Sequence, residues 1–411
     1  MMQKFKENNY EIVDANDDIS DICVINTCTV TNMSDRKSRH SIRRVKEKNH
    51  NAIIIATGCY AQNSKKELEA MSEIDIILGN EEKKNIVGYV EKYIEEKNKI
   101  VLVNDISNSK EFEDMGAISY TEKTRAVIKV QDGCNQFCTY CIIPYARGRI
   151  RSRKIESVIE EVKKIAEKGI KEVVITGIHI ASYGKDFDNN IGLIDLLEEI
   201  NKVDGIQRIR IGSLEPKIIT EEFMQRLIKL PKICHHFHLS LQSGCDETLR
   251  RMNRKYNTLE FEEIVNRLRK YYSDVILTTD IIVGFPGESQ EEFDCTYKFL
   301  EKIKFYKMHV FPYSPRTGTV AEKMPNQVQG DVKESRSKKL IELSNKNQLE
   351  YNQKYIDKDV EVLFEEKDES GYYKGHTQNY ILVEYKSSEN LENKIKVVKI
   401  KEADIEHVIA I

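Results

Sequence analysis

The chain has 411 residues, enough for two or three domains with separate cores, and its net charge of −3 makes any nucleic-acid site a local patch. No apolar run reaches membrane-spanning length and the opening residues MMQKFKENNYEIVD lack an apolar stretch, which argues against a signal peptide or transmembrane helix and for a cytoplasmic location. In that reducing setting the nine cysteines are expected to be metal ligands, catalytic groups or buried small side chains rather than disulfides.

Residues 1 to about 105 read as a small parallel α/β unit with strands DICVINTC, NAIIIATGC, IDIILGN and KIVLV between charged helical segments. Cys28 and Cys59 each fall where a strand gives way to its loop, so parallel strands place them along one edge of the sheet. The helical segment after Cys28 carries Arg36, Lys37, Arg39, Arg43, Arg44 and Lys46, which suits a solvated face and an RNA backbone equally. About 20 polar residues from Asn104 onward then read as a linker.

From Ala126 to Ser314 one alternation recurs six times: a short β-branched run, a polar motif, a helix-period segment. The strands are AVIKV, EVVITGI, RIRIGSL, HHFHLSL, ILTTDIIVGF and KMHVFPY, and the polar motifs all follow them. This is a βα array with a parallel sheet, and its C-terminal rim is where active sites collect. After a helix ending near Lys346 the pattern changes to DVEVLFEE, YYKGHTQNYILVEY, KIKVVKIKEA and HVIAI, a small antiparallel barrel of a kind that binds oligonucleotides.

Cys134, Cys138 and Cys141, in DGCNQFCTYCIIPYARGR, put three soft ligands on one loop with no partner Cys pair nearby. Three thiolates suit a four-iron cluster with one iron left open, and Tyr140 before the third cysteine fits that reading. The alternatives are a zinc site completed by a distant His, or unligated buried thiols. Cys23, within an apolar strand, and the scattered Cys234, Cys245 and Cys295 read as buried small side chains.

This loop, at the end of the first strand of a six-fold βα array, resembles the radical S-adenosylmethionine superfamily. INTCTVT, TGCYAQ, VQDGCNQFCTYCIIPYARGRIRSR, SLEP, LQSGCDETLRRMNRKY, TTDIIVGFPGE and HVFPYSPRTGT together resemble its methylthiotransferase family over nearly the whole chain. The resemblance implies an α/β chain of three parts: a methylthiotransferase N-terminal domain (1–105), a partial (β/α)6 radical core (120–346) and a TRAM-like β-barrel (347–411). It implies S-adenosylmethionine and two 4Fe-4S clusters, one on Cys134, Cys138 and Cys141 and one on the N-terminal domain, where Cys28 and Cys59 match two of three ligands. The third is expected upstream, in a first strand ending in Gly-Cys. The given start then reads as an internal Met, with a truncated product as the alternative, and MMQKFKENNYEIV as the first helix and second strand. Gly177 matches the place where backbone groups meet the cofactor's methionine moiety, beside Tyr140 as a cofactor-side residue; His179 on the same rim has no assigned role.

Arg147, Arg149, Arg151, Arg153 and Lys154 follow the cysteine loop and read as phosphate-positioning residues. In the C-terminal barrel Tyr372, Tyr373, Lys374 and His376 offer stacking and charge for an RNA loop, or complete the barrel's own core. The motifs most resemble the branch that methylthiolates C2 of threonylcarbamoyladenosine beside the tRNA anticodon, with flavodoxin or ferredoxin as electron donor. The alternatives are a sibling acting on isopentenyladenosine or on a ribosomal protein, and a non-catalytic zinc and RNA-binding protein.

Overall fold

A computed structural model describes residues 1–13, 20–113 and 124–411. The described residues up to 113, with 132–151 and 314–323, form one compact unit; residues 124–131, 152–313 and 324–411 form a second.

In the first unit four parallel strands lie side by side in chain order: β1 (Ile22–Thr27), β2 (Ile53–Gly58), β3 (Ile76–Leu78) and β4 (Ile100–Leu102). Helices cover both faces, so the central strands are apolar throughout: Ile54, Ile55, Ile76, Ile77 and Leu78 are fully buried. Helix Asn32–Lys48 begins at Thr31, whose side chain accepts a hydrogen bond from the Ser34 N–H at 3.1 Å. The expected strand at EIV is absent. Helix Met2–Glu7 is followed by irregular chain in which Tyr10 packs edge-on against Phe5, while Ile12 and Val13 are exposed. Two apolar residues, Ile12 and Val13, are too few to hold a strand that has no buried face. Of the expected linker, residues 114–123 lie outside the described residues; its head forms a short turn at Ile106–Asn108 with Ile106 buried.

The second unit carries six parallel strands in chain order: β5 (Arg125–Asp132), β7 (Glu172–Gly177), β8 (Arg208–Ile211), β9 (His236–Gln242), β10 (Ile276–Val283) and β11 (Lys307–Pro312), with the two-residue β6 (Arg151–Ser152) beside β5. Hydrogen bonding divides them into β6-β5-β7-β8 and β9-β10-β11, and the bridges Ile209↔Ile233 and Leu214↔Leu239 join the halves into one partial barrel. Amphipathic helices such as Ile155–Glu167 and Thr258–Tyr271 pack outside, burying Val158, Val162, Ile165, Phe261 and Leu268. The 24-residue helix Gly330–Gln353 runs along β11, where Ser344 Oγ accepts from the Met308 N–H at 2.9 Å.

The chain ends in a closed barrel of order β12-β13-β14-β16-β15: β12 (Asp359–Lys367), β13 (Tyr372–Thr377), β14 (Leu382–Lys386), β15 (Ile395–Ala403) and β16 (Val408–Ala410). The segment YYKGHTQNYILVEY is therefore a hairpin, broken at Tyr380, whose φ is +79°. Among the described residues no helix is long and apolar enough to cross a membrane.

Candidate active site

The loop after β5 is held by its own backbone. Gly133 has φ +72°, and a Cβ there would meet the Arg149 carbonyl oxygen at 1.7 Å, so only glycine fits. The Cys134 N–H donates to the Gly148 carbonyl at 3.0 Å, the Cys141 N–H donates to the Cys138 carbonyl at 2.9 Å, and Phe137 turns the chain at φ +49°. Cys134 is buried, whereas Cys138, Tyr140 and Cys141 are half-buried.

The loop fits an iron–sulfur cluster by its donors: three thiols, with no carboxylate or imidazole between Gly133 and Ile143. Among the described residues no three His, Cys, Asp or Glu side chains converge as they would on one ion. In a four-iron cluster each thiolate takes a different iron, so no such convergence is needed.

Cys28 and Cys59 follow Thr27 and Gly58, which are paired across β1 and β2, so the two cysteines leave adjacent strands at one level. Cys28 is exposed and Cys59 buried. Gly58 has φ +101°, and a Cβ there would lie 2.4 Å from the Thr27 carbonyl oxygen; this close approach sets the spacing of the two strand ends.

Two arginines brace these cysteines: Arg316, which sequence reasoning did not single out, and Arg147, which it read as a phosphate-positioning residue. Arg316, from the SPRTG motif, donates to Thr29 Oγ1 (2.6 Å), Asn32 Oδ1 (2.6 Å) and Asp35 Oδ2 (2.5 Å), fixing the turn that follows Cys28. Arg147 Nε donates to Cys59 Sγ at 3.0 Å while its Nη1 stands 3.6 Å from Asp132, the last residue of β5. Both arginines sit inside motifs, but composition alone does not separate an arginine that turns inward from a surface charge.

Comparison with known proteins agrees with this layout. Residues 128–300 match the Radical SAM superfamily, and residues 1–79 match a family described as Uncharacterized protein family UPF0004. The chain is 43% identical over 406 residues to the threonylcarbamoyladenosine tRNA methylthiotransferase MtaB of Bacillus subtilis, covering 98% of this chain and 90% of that protein. It belongs to the radical S-adenosylmethionine methylthiotransferase family. A tRNA-2-methylthio-N(6)-dimethylallyladenosine synthase of Thermoanaerobacter sp. is 39% identical over 393 residues, covering 93% of this chain and 83% of that protein. Among solved structures, the radical S-adenosylmethionine methyltransferase TsrM of Kitasatospora setae matches with TM-score 0.56 at 15% identity over 74% of this chain and 67% of that one, a likeness of fold.

In this methylthiotransferase the basic run after the cysteines is mostly internal, contrary to its reading as a phosphate-positioning stretch. Arg151 is buried 3.7 Å from Asp132, and Arg153 is buried against Glu161 and Ser157. Only Arg149, stacked over the Phe137 ring at 4.8 Å, and Lys154 are exposed. On helix Asn32–Lys48, Arg39 donates to Tyr60 Oη at 2.5 Å and Lys46 to the Ala52 carbonyl at 3.0 Å; Arg36, Lys37 and Arg44 remain exposed on one face.

Gly177 ends β7 against β5: a Cβ would meet the Gln131 carbonyl oxygen at 2.8 Å and Ile180 Cγ2 at 2.9 Å. Strand packing alone thus requires this glycine. Gln131 Oε1 accepts from the His179 N–H at 2.7 Å, fixing the loop that follows. His179 Nδ1 is 2.7 Å from Ser182 Oγ, and burial, with Arg254 and Lys185 nearby, pushes its imidazole down to about 4. In the C-terminal barrel Tyr373 is a core residue edge-on to Phe364, whereas Tyr372 is half-exposed with the Lys386 ammonium over its ring. Lys374 faces Glu384 at 3.5 Å, and His376 Nδ1 faces Glu365 Oε1 at 2.6 Å.

Proposed function

We propose that this protein is a tRNA methylthiotransferase that attaches a methylthio group to C2 of N6-threonylcarbamoyladenosine beside the anticodon. One observation carries the reading: the intact Cys134, Cys138, Cys141 loop closes the first strand of a six-strand parallel barrel in a chain alike over nearly its whole length to a relative of that name. A four-iron cluster held by these three thiolates, with S-adenosylmethionine, would supply the radical that an unactivated C–H bond requires.

The chain's own residues do the positioning. Gly133 and the Cys134 to Gly148 hydrogen bond fix the cysteine loop, and Asp132 is clamped between Arg147 and Arg151. Gly177 and Gln131 set the backbone of the loop after β7, where the cofactor's methionine end is expected, and Tyr140 lies beside the third cysteine. Cys28 and Cys59 are assigned to the sulfur-handling cluster of the N-terminal part (1–105), the radical core to 120–346 and RNA capture to the C-terminal part (347–411), whose barrel begins at Asp359. A flavodoxin or ferredoxin is the expected electron donor. The target base must leave its stack in the anticodon loop for its C2 to be reached.

Replacement of Cys138 by Ala tests the assignment. Formation of 5′-deoxyadenosine by the reconstituted protein is expected to fall to background, and cleavage at the normal rate would refute the role given to this loop.

A further inference from the structure

A cavity of about 390 Å³ lies within the second unit. Alternate positions on four neighbouring strands line it: Arg210 on β8, His236 and His238 on β9, Thr278 on β10, Lys307 and His309 on β11. Tyr380 of the C-terminal barrel also lines it; its ring is stacked between His236 (4.5 Å, 23°) and His376 (4.7 Å, 19°), with the Arg210 guanidinium over it at 4.7 Å. The strained backbone of Tyr380 thus places a rigid aromatic wall in the cavity.

The polar groups divide into engaged and available. Arg210 is engaged by Glu172 (2.7 Å) and by the carbonyls of Thr377 and Gln378. His238 stands between Thr278 Oγ1 (3.1 Å) and Asp280 Oδ2 (3.3 Å), and His236 Nε2 meets Thr278 Oγ1 at 3.0 Å. His236 Nδ1 is buried with no partner, in a residue 7% exposed. Lys307 is half-buried, and among the described residues its ammonium has no ion-pair or hydrogen-bond partner. His309 is exposed, and partial desolvation still holds its imidazole below its ordinary range, against the opposing charge of Asp280. Glu406, the one acid among the lining residues, is exposed.

One cation, imidazoles and a hydroxyl recognise a polar substituent that bears a carboxylate. A threonylcarbamoyl group offers a carboxylate, a hydroxyl and amide groups, whereas a dimethylallyl group offers none and would leave the polar groups that line the cavity unpaired. His238 lies four residues before the end of β9, and His309 three and Lys307 five before the end of β11, about 13, 10 and 17 Å down their strands, Lys307 adding the reach of its own long side chain. A base seated just inside the C-terminal rim reaches them only through a long N6 substituent.

We propose that this cavity receives the threonylcarbamoyl group of the target adenosine, with Lys307 pairing with its carboxylate and His238 and His309 hydrogen-bonding its amide and hydroxyl groups. The inference rests on the function proposed above and names the residues that choose this substituent over an apolar one.

The test is fluorescence-anisotropy binding of the full-length, reconstituted protein to three anticodon stem-loops, bearing threonylcarbamoyladenosine, dimethylallyladenosine or plain adenosine at the target position. Wild type is expected to prefer the first over the third by about tenfold, the scale of one charge-assisted contact. Lys307→Met and His309→Leu bring that ratio close to one, and Lys307→Arg keeps it. Full preference surviving in both Lys307→Met and His309→Leu overturns the inference and leaves the function standing. A wild-type preference for the dimethylallyl stem-loop overturns the function itself, and this inference with it.

Discussion

Arg147 holds two sulfur- and carboxylate-bearing groups with one guanidinium, Cys59 on one side and Asp132 on the other. Asp132 is almost wholly buried and keeps Arg151 at 3.7 Å if Arg147 is lost, so the cysteine loop retains one brace while Cys59 loses its donor. Arg147→Ala is therefore expected to lower methylthio transfer at least about tenfold, the scale of a lost charge-assisted hydrogen bond, while deoxyadenosine formation persists. Product and deoxyadenosine falling in parallel would refute this positioning role; Arg147→Lys should recover part of the coupling. A second expectation concerns His179, whose folded-state value of about 4 lies below its ordinary 6.5. Between those values the unfolded chain binds more protons than the folded one, so stability is full above pH 6.5 and declines as the pH falls toward 4. Denaturant unfolding of the apoprotein across that window should show the decline, and His179→Gln should flatten it. At this scale the sequence located the cysteines by spacing, yet read the arginines after them as one surface run. Their carboxylate partners, Asp132 and Glu161, become partners only through the folded loop and helix.

Strand alternation in the C-terminal barrel separates the two neighbouring tyrosines. Tyr373 points into the barrel core with Phe364, Val383 and Ile400, and Tyr372 points outward. Tyr373→Ala should cost about 3–5 kcal/mol of stability, as for other large buried rings, and lower the thermal midpoint. Tyr372→Ala should leave the midpoint unchanged and weaken tRNA binding by about tenfold, the scale of one lost base–aromatic stack. Equal effects on midpoint and binding in both variants would contradict this division. The pattern of alternation was legible, but the break at Tyr380 was not, because the turn there uses a non-glycine residue at positive φ that the stacked His236 and His376 hold in place. The reverse failure occurred at the N terminus, where the family resemblance implied a strand at EIV and residues 11–13 make none.

For the molecule as a whole, the six-strand order of the barrel was readable because neighbours in sequence are neighbours in the sheet, each strand closed by a polar loop. What chain order did not reveal is that residues 132–151 and 314–323 pack with the N-terminal strands, where the half-buried Arg147 and the buried Arg316 hydrogen-bond to Cys59 and Asp35. Nor did any motif announce the cavity lined by His236, His238, Lys307 and His309, since its residues come from separate strands and meet only on one barrel face. The measurement that bears most directly on the central claim is mass spectrometry of nucleosides from tRNA carrying threonylcarbamoyladenosine, after incubation with the reconstituted full-length protein, S-adenosylmethionine, a sulfur source and a reductant. The account predicts a methylthio group replacing the hydrogen at C2 of that nucleoside, and none with the Cys138→Ala protein. Vigorous deoxyadenosine formation with the threonylcarbamoyladenosine unchanged, or methylthiolation of dimethylallyladenosine instead, would contradict it.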